Sequence, residues 1–297
     1  MKRPSQSGSI LMLALWATAL LASIGVAQAT RLSLQYRWVD RLREGNQARL
    51  LAVSAFQLAA HRLTTADPVT DNAQYDAPKE SWGQLLKKPL QLSSGTIRYQ
   101  ITDEQAKIPI NAAPADYLTR LPGFSQAAVN QVITDRALGK RITHPGQLPL
   151  LPGFDADQLT PLMALATVYG QGPVNLNTAS SESLSLLGFS AGLMTPLLQY
   201  RLGPDQQAGT ADDGVFAEAG TAGVETALKS FFGQGFSLPE PDKQIMDGLF
   251  SAKPPLLGVR SSVYAIDAEG VTRRRAVVRK ISAIVDSGGT VKGWHEN

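Results

Sequence analysis

The chain is 297 residues long, carries 28 basic against 25 acidic side chains, and has no cysteine. With 43% hydrophobic and 18% charged residues it is too apolar for a disordered chain, and its length allows one or two domains with a real core. Without cysteine there is no disulfide, thiol nucleophile or thiolate metal site, and three scattered histidines (His61, His144, His295) leave little for a zinc site or a histidine-based triad.

The charge is uneven. Residues 1–62 carry eight Lys/Arg against Asp40 and Glu44, a balance of +6, so the rest of the chain sums to −3. The pI near 9.1 therefore belongs to the N-terminal arm and is no nucleic-acid signal for the whole chain. After MKRPSQSG, residues Ser9 to Ala29 run without a charge. As a helix this stretch rises about 32 Å, enough for a hydrocarbon core of roughly 30 Å. A secretory signal cut after Ala27-Gln28-Ala29 is a second reading, although the apolar run is longer than the roughly 7–15 residues usual there. Helical character then continues to about Arg62, with Leu32, Tyr36, Val39 and Leu42, then Leu51, Ala55 and Leu58, on one stripe. This predicts one helix of about fifty residues, ended by Asp67-Pro68.

The short basic leader ending in Gly8, directly before an apolar span, resembles the type IV pilin and pseudopilin family. The resemblance implies cleavage after Gly8 by a prepilin peptidase, which leaves Ser9 as the N-terminus of a chain that keeps its span. Where the family usually has Phe at the first mature position this chain has Ser9, which leaves N-methylation open. Where the family usually has Glu at the fifth, it has Leu13. A carboxylate inside a bilayer needs a partner, which in such fibres is the amine of a neighbouring subunit. Leu13 therefore suits a subunit with no neighbour above it, and the K-type minor pseudopilins of type II secretion lack the same Glu. The flanking charges point the other way: Arg31, Arg37, Arg41, Arg43 and Arg49 follow the span while only Lys2 and Arg3 precede it, which by a positive-inside count puts the C-terminal part in the cytoplasm.

Residues 63–94 read as a loop with a helical turn or two around Trp82–Leu86. Thr96–Thr102 reads as a strand. Gly258–Ile266 and Val271–Val285 read as a hairpin whose turn is Asp267-Ala268-Glu269-Gly270. On its second strand Arg273, Arg274, Arg275, Arg279 and Lys280 offer an anionic contact surface, or simply charge guarding an exposed edge. Between the strands the pattern is helical and repeated. Ile110-Asn111-Ala112-Ala113-Pro114-Ala115-Asp116 recurs 66 residues later as Leu176-Asn177-Thr178-Ala179-Ser180-Ser181-Glu182. Leu121-Pro122-Gly123-Phe124 recurs as Leu151-Pro152-Gly153-Phe154 and, shortened, as Leu187-Gly188-Phe189. The Asn-rich starts suit helix caps, with Asp116 or Glu182 in the first turn.

These tandem hairpins also resemble the helix-hairpin-helix module of DNA-binding proteins, so a membrane-anchored DNA-uptake protein is the alternative reading. Ser125, Asp155 and Ser190 stand where that module usually has its second glycine. Residues 105–252 carry eight basic and thirteen acidic groups, a poor basis for phosphate binding. K-type pseudopilins carry a similar helical insertion and use it for protein contacts.

The segment Leu202–Phe216 places Asp205, Asp212 and Asp213 among glycines. Three carboxylates with the backbone carbonyls of Gly209 and Thr210 could make much of a calcium shell, although the spacing is not that of an EF-hand. A solvated turn explains the same residues. K-type pseudopilins bind calcium in such a loop, and the resemblance implies a structural calcium here. Asp212 and Asp213 also form a carboxylate pair, but no positioned partner supports acid–base catalysis and no enzyme is expected.

The expected fold is α+β, with a long N-terminal transmembrane and amphipathic helix, a small pilin-like antiparallel sheet and a large all-α insertion of helical hairpins. The divisions are a leader (1–8), the N-terminal helix (9–62, transmembrane over 9–29), a pilin-like unit (63–104 and 253–297) and the insertion (105–252). What the resemblance implies is a minor pseudopilin at the tip of the type II secretion pseudopilus, capping and initiating the fibre. It would sit in the inner membrane with its C-terminal domain in the periplasm. Its partners would be other minor pseudopilins through the N-terminal helix, the prepilin peptidase, the inner-membrane secretion platform and secreted substrates, with no nucleic acid.

Overall fold

The computed structural model describes residues 7–67, 71–84, 89–170 and 172–297. Most of the leader, Pro68 and the Leu85–Leu86 end of the Trp82–Leu86 patch lie outside the described residues. Helix α1 (Ser7–Thr64) is a single run of 58 residues, about 87 Å at 1.5 Å per residue. No proline interrupts it, and His61 and Arg62 in its last turn suit the negative end of the helix dipole.

Five strands form an antiparallel sheet against the C-terminal third of α1. In chain order the elements are β1 (Leu90–Gln91), β2 (Gly95–Asp103), β3 (Ile108–Pro109), α2 (Ala115–Leu118), α3 (Gln126–Ala137), α4 (Leu159–Leu165), β4 (Ala166–Thr167) and β5 (Val174–Asn175). There follow α5 (Ser181–Leu186), α6 (Ala191–Leu202), α7 (Thr221–Phe232), α8 (Glu240–Ser251), β6 (Leu257–Gly258), β7 (Val263–Thr272), β8 (Val278–Asp286) and β9 (Val291–Glu296). The sheet order is β1-β2-β7-β8-β9. Strand alternation puts Ile97, Tyr99 and Ile101 of β2, Ile266 and Ala268 of β7, and Ile281, Ala283 and Val285 of β8 on one buried face. Against it α1 lays a stripe of small residues, Ala48, Ala52, Ala55 and Ala59, each fully buried.

The hairpin turn lies elsewhere than expected. Asp267–Gly270 runs inside β7, and the chain turns at Arg273–Val277, where Ala276 takes a left-handed φ of 52° and the Thr272 hydroxyl accepts from Val277 N–H. The reason is packing: Gly270 faces α1, and a Cβ there would lie 2.4 Å from the Ala48 carbonyl oxygen. This glycine serves close approach of a helix, not a turn. Arg273, Arg274 and Arg275 consequently sit in the turn, where Arg274 and Arg275 pair with Asp40 of α1. Nor is β8 an exposed edge. Strand β9 covers it, and Arg49 of α1 grips Glu296 at the end of β9 through two bonds of 2.7 and 2.8 Å. With Lys, Gly, His and Glu among its six residues, β9 lacks the β-branched signature that marks a strand.

The second hydrophobic core belongs to the helices between β2 and β7. These form two copies of one module. Each opens on a two-residue strand and closes on another, β3 with β4 and β5 with β6, both parallel. The insertion is thus helical apart from these two short pairings.

Candidate functional site

The apolar end of α1 stands free of the rest of the chain. Residues such as Leu11, Leu15, Trp16 and Leu20 are exposed, and among the described residues α1 is the one helix long and apolar enough to cross a membrane. Gly8 and Ser9 lie in its first turn. Leu51 and Ala55 of the expected stripe are buried on the sheet, whereas Leu32, Tyr36, Val39 and Leu42 are exposed.

The repeated Asn-rich starts do not cap helices. Pro114 precedes α2 without a side-chain cap, and the Ser180 hydroxyl caps α5. Asn111 and Asn177 are buried instead, and each brackets one distant residue. The Asn111 amide accepts from Ile142 N–H and donates to Ile142 C=O at 2.7 Å, while Asn177 does the same to Phe216 at 2.9 and 3.1 Å. A buried backbone pair that loses such a partner keeps its full desolvation cost, so each Asn is a fixing point of its module. A second repeated pair is Arg136 and Arg201, whose Nη1 atoms donate at 2.6 Å to Ala113 C=O and Ala179 C=O. Burial is the main cause that lowers both guanidinium pKa values to about 10.

The Gly-Phe turns lie between helices, with Gly123, Gly153 and Gly188 all at positive φ. The amides that follow them are occupied from within. Ala128 N–H donates to the Ser125 hydroxyl, Asp157 N–H to the Asp155 carboxylate and Leu193 N–H to the Ser190 hydroxyl.

The acidic loop joins α6 to Phe216, and its three aspartates converge. One carboxylate oxygen each of Asp205, Asp212 and Asp213 lies within 4.8 Å of the others, Asp213 buried and the other two exposed. The loop bends sharply at Gly203, Gln206 and Gly209, all at positive φ. Asp205 accepts from Gln207 N–H at 2.8 Å, Asp212 from Asp205 N–H at 3.1 Å and Asp213 from Gly209 N–H at 2.7 Å. The hydroxyl of Thr210 faces three acceptors, Gln207 C=O, Asp212 Oδ1 and Asp213 Oδ1, and has one hydrogen to give. Acceptors thus outnumber donors around three like charges, a donor set that fits a hard divalent cation. The Thr210 hydroxyl and Asp205 N–H hold the Asp212 carboxyl below its ordinary pKa, which suits ligation. Of the two carbonyls expected as ligands, that of Thr210 already accepts from Asp213 N–H at 3.4 Å.

A buried polar network at the base of the helical body had no signal in the sequence. Asp103, at the end of β2, accepts from Ser261 and Thr178 hydroxyls at 2.5 Å, Asn175 Nδ2 at 3.1 Å and Gln105 N–H at 2.7 Å. Apart from Gln105, these partners lie about 70 and about 160 residues further along the chain, which is why no local pattern reveals them. Burial nonetheless pushes the Asp103 carboxyl up to about 6.

No protein-family model matches the sequence, and no curated protein matches it significantly. The fold, however, is similar to that of a chain in the crystal structure of the GspK–GspI–GspJ complex from the type 2 secretion system of enterotoxigenic Escherichia coli. The TM-score is 0.60, with 14% identity, over 87% of this chain and 99% of that chain. The long apolar helix, the antiparallel sheet and the helices beside it together make this a pseudopilin-like fold.

Proposed function

We propose that this chain is a minor pseudopilin of a type II secretion system, of the K type, and that it caps the tip of the pseudopilus and initiates its assembly. The observation that carries this reading is the fold likeness to a chain of a GspK–GspI–GspJ complex, which takes in nearly the whole of that chain. Leu13 in place of a membrane-buried Glu supports a subunit with nothing above it. In this reading a prepilin peptidase cuts between Gly8 and Ser9, and α1 anchors the chain in the inner membrane with the sheet and helical body in the periplasm. Other minor pseudopilins pack along its exposed stripe. The helical body stands to the side of the fibre and is available to the secretion platform and to secreted substrates. The role is structural, not catalytic. Asp205, Asp212 and Asp213 hold a calcium ion that neutralises the loop and ties α6 to Phe216; such an ion would stabilise the fold and supply no chemistry. The hairpin amides that a DNA-binding module would turn to phosphate are already capped here, which weighs against the DNA-uptake alternative.

The test is the N-terminal residue of the membrane-extracted protein from cells that contain a prepilin peptidase. A chain that starts at Ser9 and co-purifies with other minor pseudopilins is expected. A start at Thr30 removes the membrane anchor and refutes the reading.

A further inference from the structure

The two modules of the helical body share a half-buried arginine, and only in one of them does a carboxylate act on it. Asn111 and Asn177 bracket Ile142 and Phe216, which makes the chain between α3 and Ile142 the counterpart of the chain between α6 and Phe216. In the second module that connection is the long acidic loop, and its buried Asp213 favours the charged form of Arg201. In the first module the connection is only Leu138, Gly139, Lys140 and Arg141. Among the described residues no carboxylate pairs with Arg136, and the charge of Arg141 opposes its ionisation. Its Nε–H is buried and has no partner among the described residues.

Beside Arg136, where the connection to Ile142 is four residues long, the first module has an open cleft of about 430 Å³. Arg136, Lys140 and Arg141 line it against one acidic group, Asp135. Three of the eight basic side chains of residues 105–252 therefore meet at one point on a body whose balance is −5. The rest of the wall joins the amides Asn111, Gln131 and Gln147 to an apolar part that includes Val132, Ile142 and Leu150, the last 82% exposed at the rim. A cationic end beside apolar side chains, in a volume near the lower end of ligand-sized pockets, is the pattern of a site that takes a charged group with an apolar neighbour.

We propose that this cleft binds a carboxylate on a partner polypeptide, with Arg136, Lys140 and Arg141 holding the charge and Ile142 and Leu150 covering the adjacent apolar side chain. The second module supplies the comparison: the charge of Asp213 acts on Arg201, and Phe216 stands where Ile142 stands in the first. The site stands on its own geometry, whichever fibre or complex the chain belongs to.

The test uses the full chain in detergent micelles, labelled with ¹⁵N at arginine, and follows the Nε–H resonances by NMR. Two probes carry the proposed chemistry: N-acetyl-leucine, with a terminal carboxylate, and acetyl-Asp-Leu-amide, with a side-chain carboxylate. Their controls are N-acetyl-leucinamide and acetyl-Asn-Leu-amide. Saturable shifts with either acid and none with its control are expected, and the tighter acid identifies whether a terminus or a side chain is the natural source. The double variant K140A/R141A, at two exposed positions, should weaken binding at least about tenfold, the worth of one charge-assisted hydrogen bond, without a change in melting temperature. Equal shifts with acid and control overturn the proposal. So does sulfate binding as tightly as the acids, binding unaffected by K140A/R141A, or no saturation at concentrations on the order of tens of millimolar.

Discussion

Replacement of Gly270 by Ala tests how closely α1 is held to the sheet. The new Cβ would lie 2.4 Å from Ala48 C=O, 2.4 Å from Ala52 N and 2.6 Å from Leu51 Cβ. Two of these atoms are backbone, so no side chain can swing aside, and the helix must withdraw by roughly 1 Å to restore ordinary contact. A gap of about 0.5–1 Å forfeits a quarter to a half of each dispersion contact along Ala48, Ala52, Ala55 and Ala59. Overpacking of this kind costs about 1–3 kcal/mol, and the entropy gained by removing a strand glycine returns less than about 1 kcal/mol of it. A net loss of about 1–2 kcal/mol is expected for Gly270→Ala. Gly248, inside α8 with nothing near its missing Cβ, provides the opposite sign: Gly248→Ala should stabilise by about 0.5–1 kcal/mol. The assay is urea denaturation followed by fluorescence of Trp82, which is buried beside Tyr264 in the sheet core. A Gly270→Ala midpoint equal to or above that of the parent chain would refute the close helix–sheet contact.

Three further outcomes follow from the sites. Asn177→Ala should cost about 2–5 kcal/mol, since it strands both backbone groups of the buried Phe216, whereas Asn130→Ala on the exposed face of α3 should cost under about 0.5 kcal/mol. Similar denaturation midpoints for the two would contradict the bracket. Calcium at about a hundred times its dissociation constant should add about 2.7 kcal/mol and raise the melting temperature. Asp212→Ala should abolish that rise, and equal melting curves in calcium and in chelator would end the metal reading. Asp103 titrates near 6 in the folded chain against 3.8 as its ordinary value. Because the folded state holds this proton more tightly, the contribution of Asp103 falls as pH rises from about 4 to about 6, by about 3 kcal/mol, and is level above that. The difference in denaturation free energy between parent and Asp103→Asn should change with pH over that window, and a constant difference would count against the buried carboxylate.

Much of the architecture was legible because its signals are local. A charge-free run, the lack of proline from Ser9 to Thr64 and 3–4 residue spacing are enough for α1. The alternation of β2 marks a half-buried strand, and the 66-residue recurrence marks two modules. What was misread depends on partners far away in sequence. Gly270 looks like a turn glycine until α1 lies on it. Asn111 and Asn177 look like caps until residues 31 and 39 positions later return to them. Strand β9 forms because β8 and Arg49 offer it partners, not because its own residues favour extension. In the acidic loop, the grouping of Asp205, Asp212 and Asp213 followed from their spacing among glycines. The single Thr210 hydrogen shared among three acceptors did not, since a list of residues carries no directions of donation. Arg136 and Arg201, an ordinary surface residue type, gave no warning that both are sunk into their modules.

Asp103, where the chain leaves β2 for the helices, is the register partner of Tyr264, where it has just re-entered the sheet in β7. The whole helical body therefore occupies the place of a hairpin turn. For an unstructured chain, closure of that hairpin means bringing together ends about 160 residues apart. A body that folds first presents the two ends already side by side, held by Asp103, Asn175 and Ser261 at its base. The effective loop shrinks to a few residues, and the entropy of closure falls by about 3 kcal/mol. The sheet that seats α1 is then a late event. Its central strand pair waits on a neighbour with a core of its own, so damage to the helices is expected to delay the sheet more than damage to the sheet delays the helices.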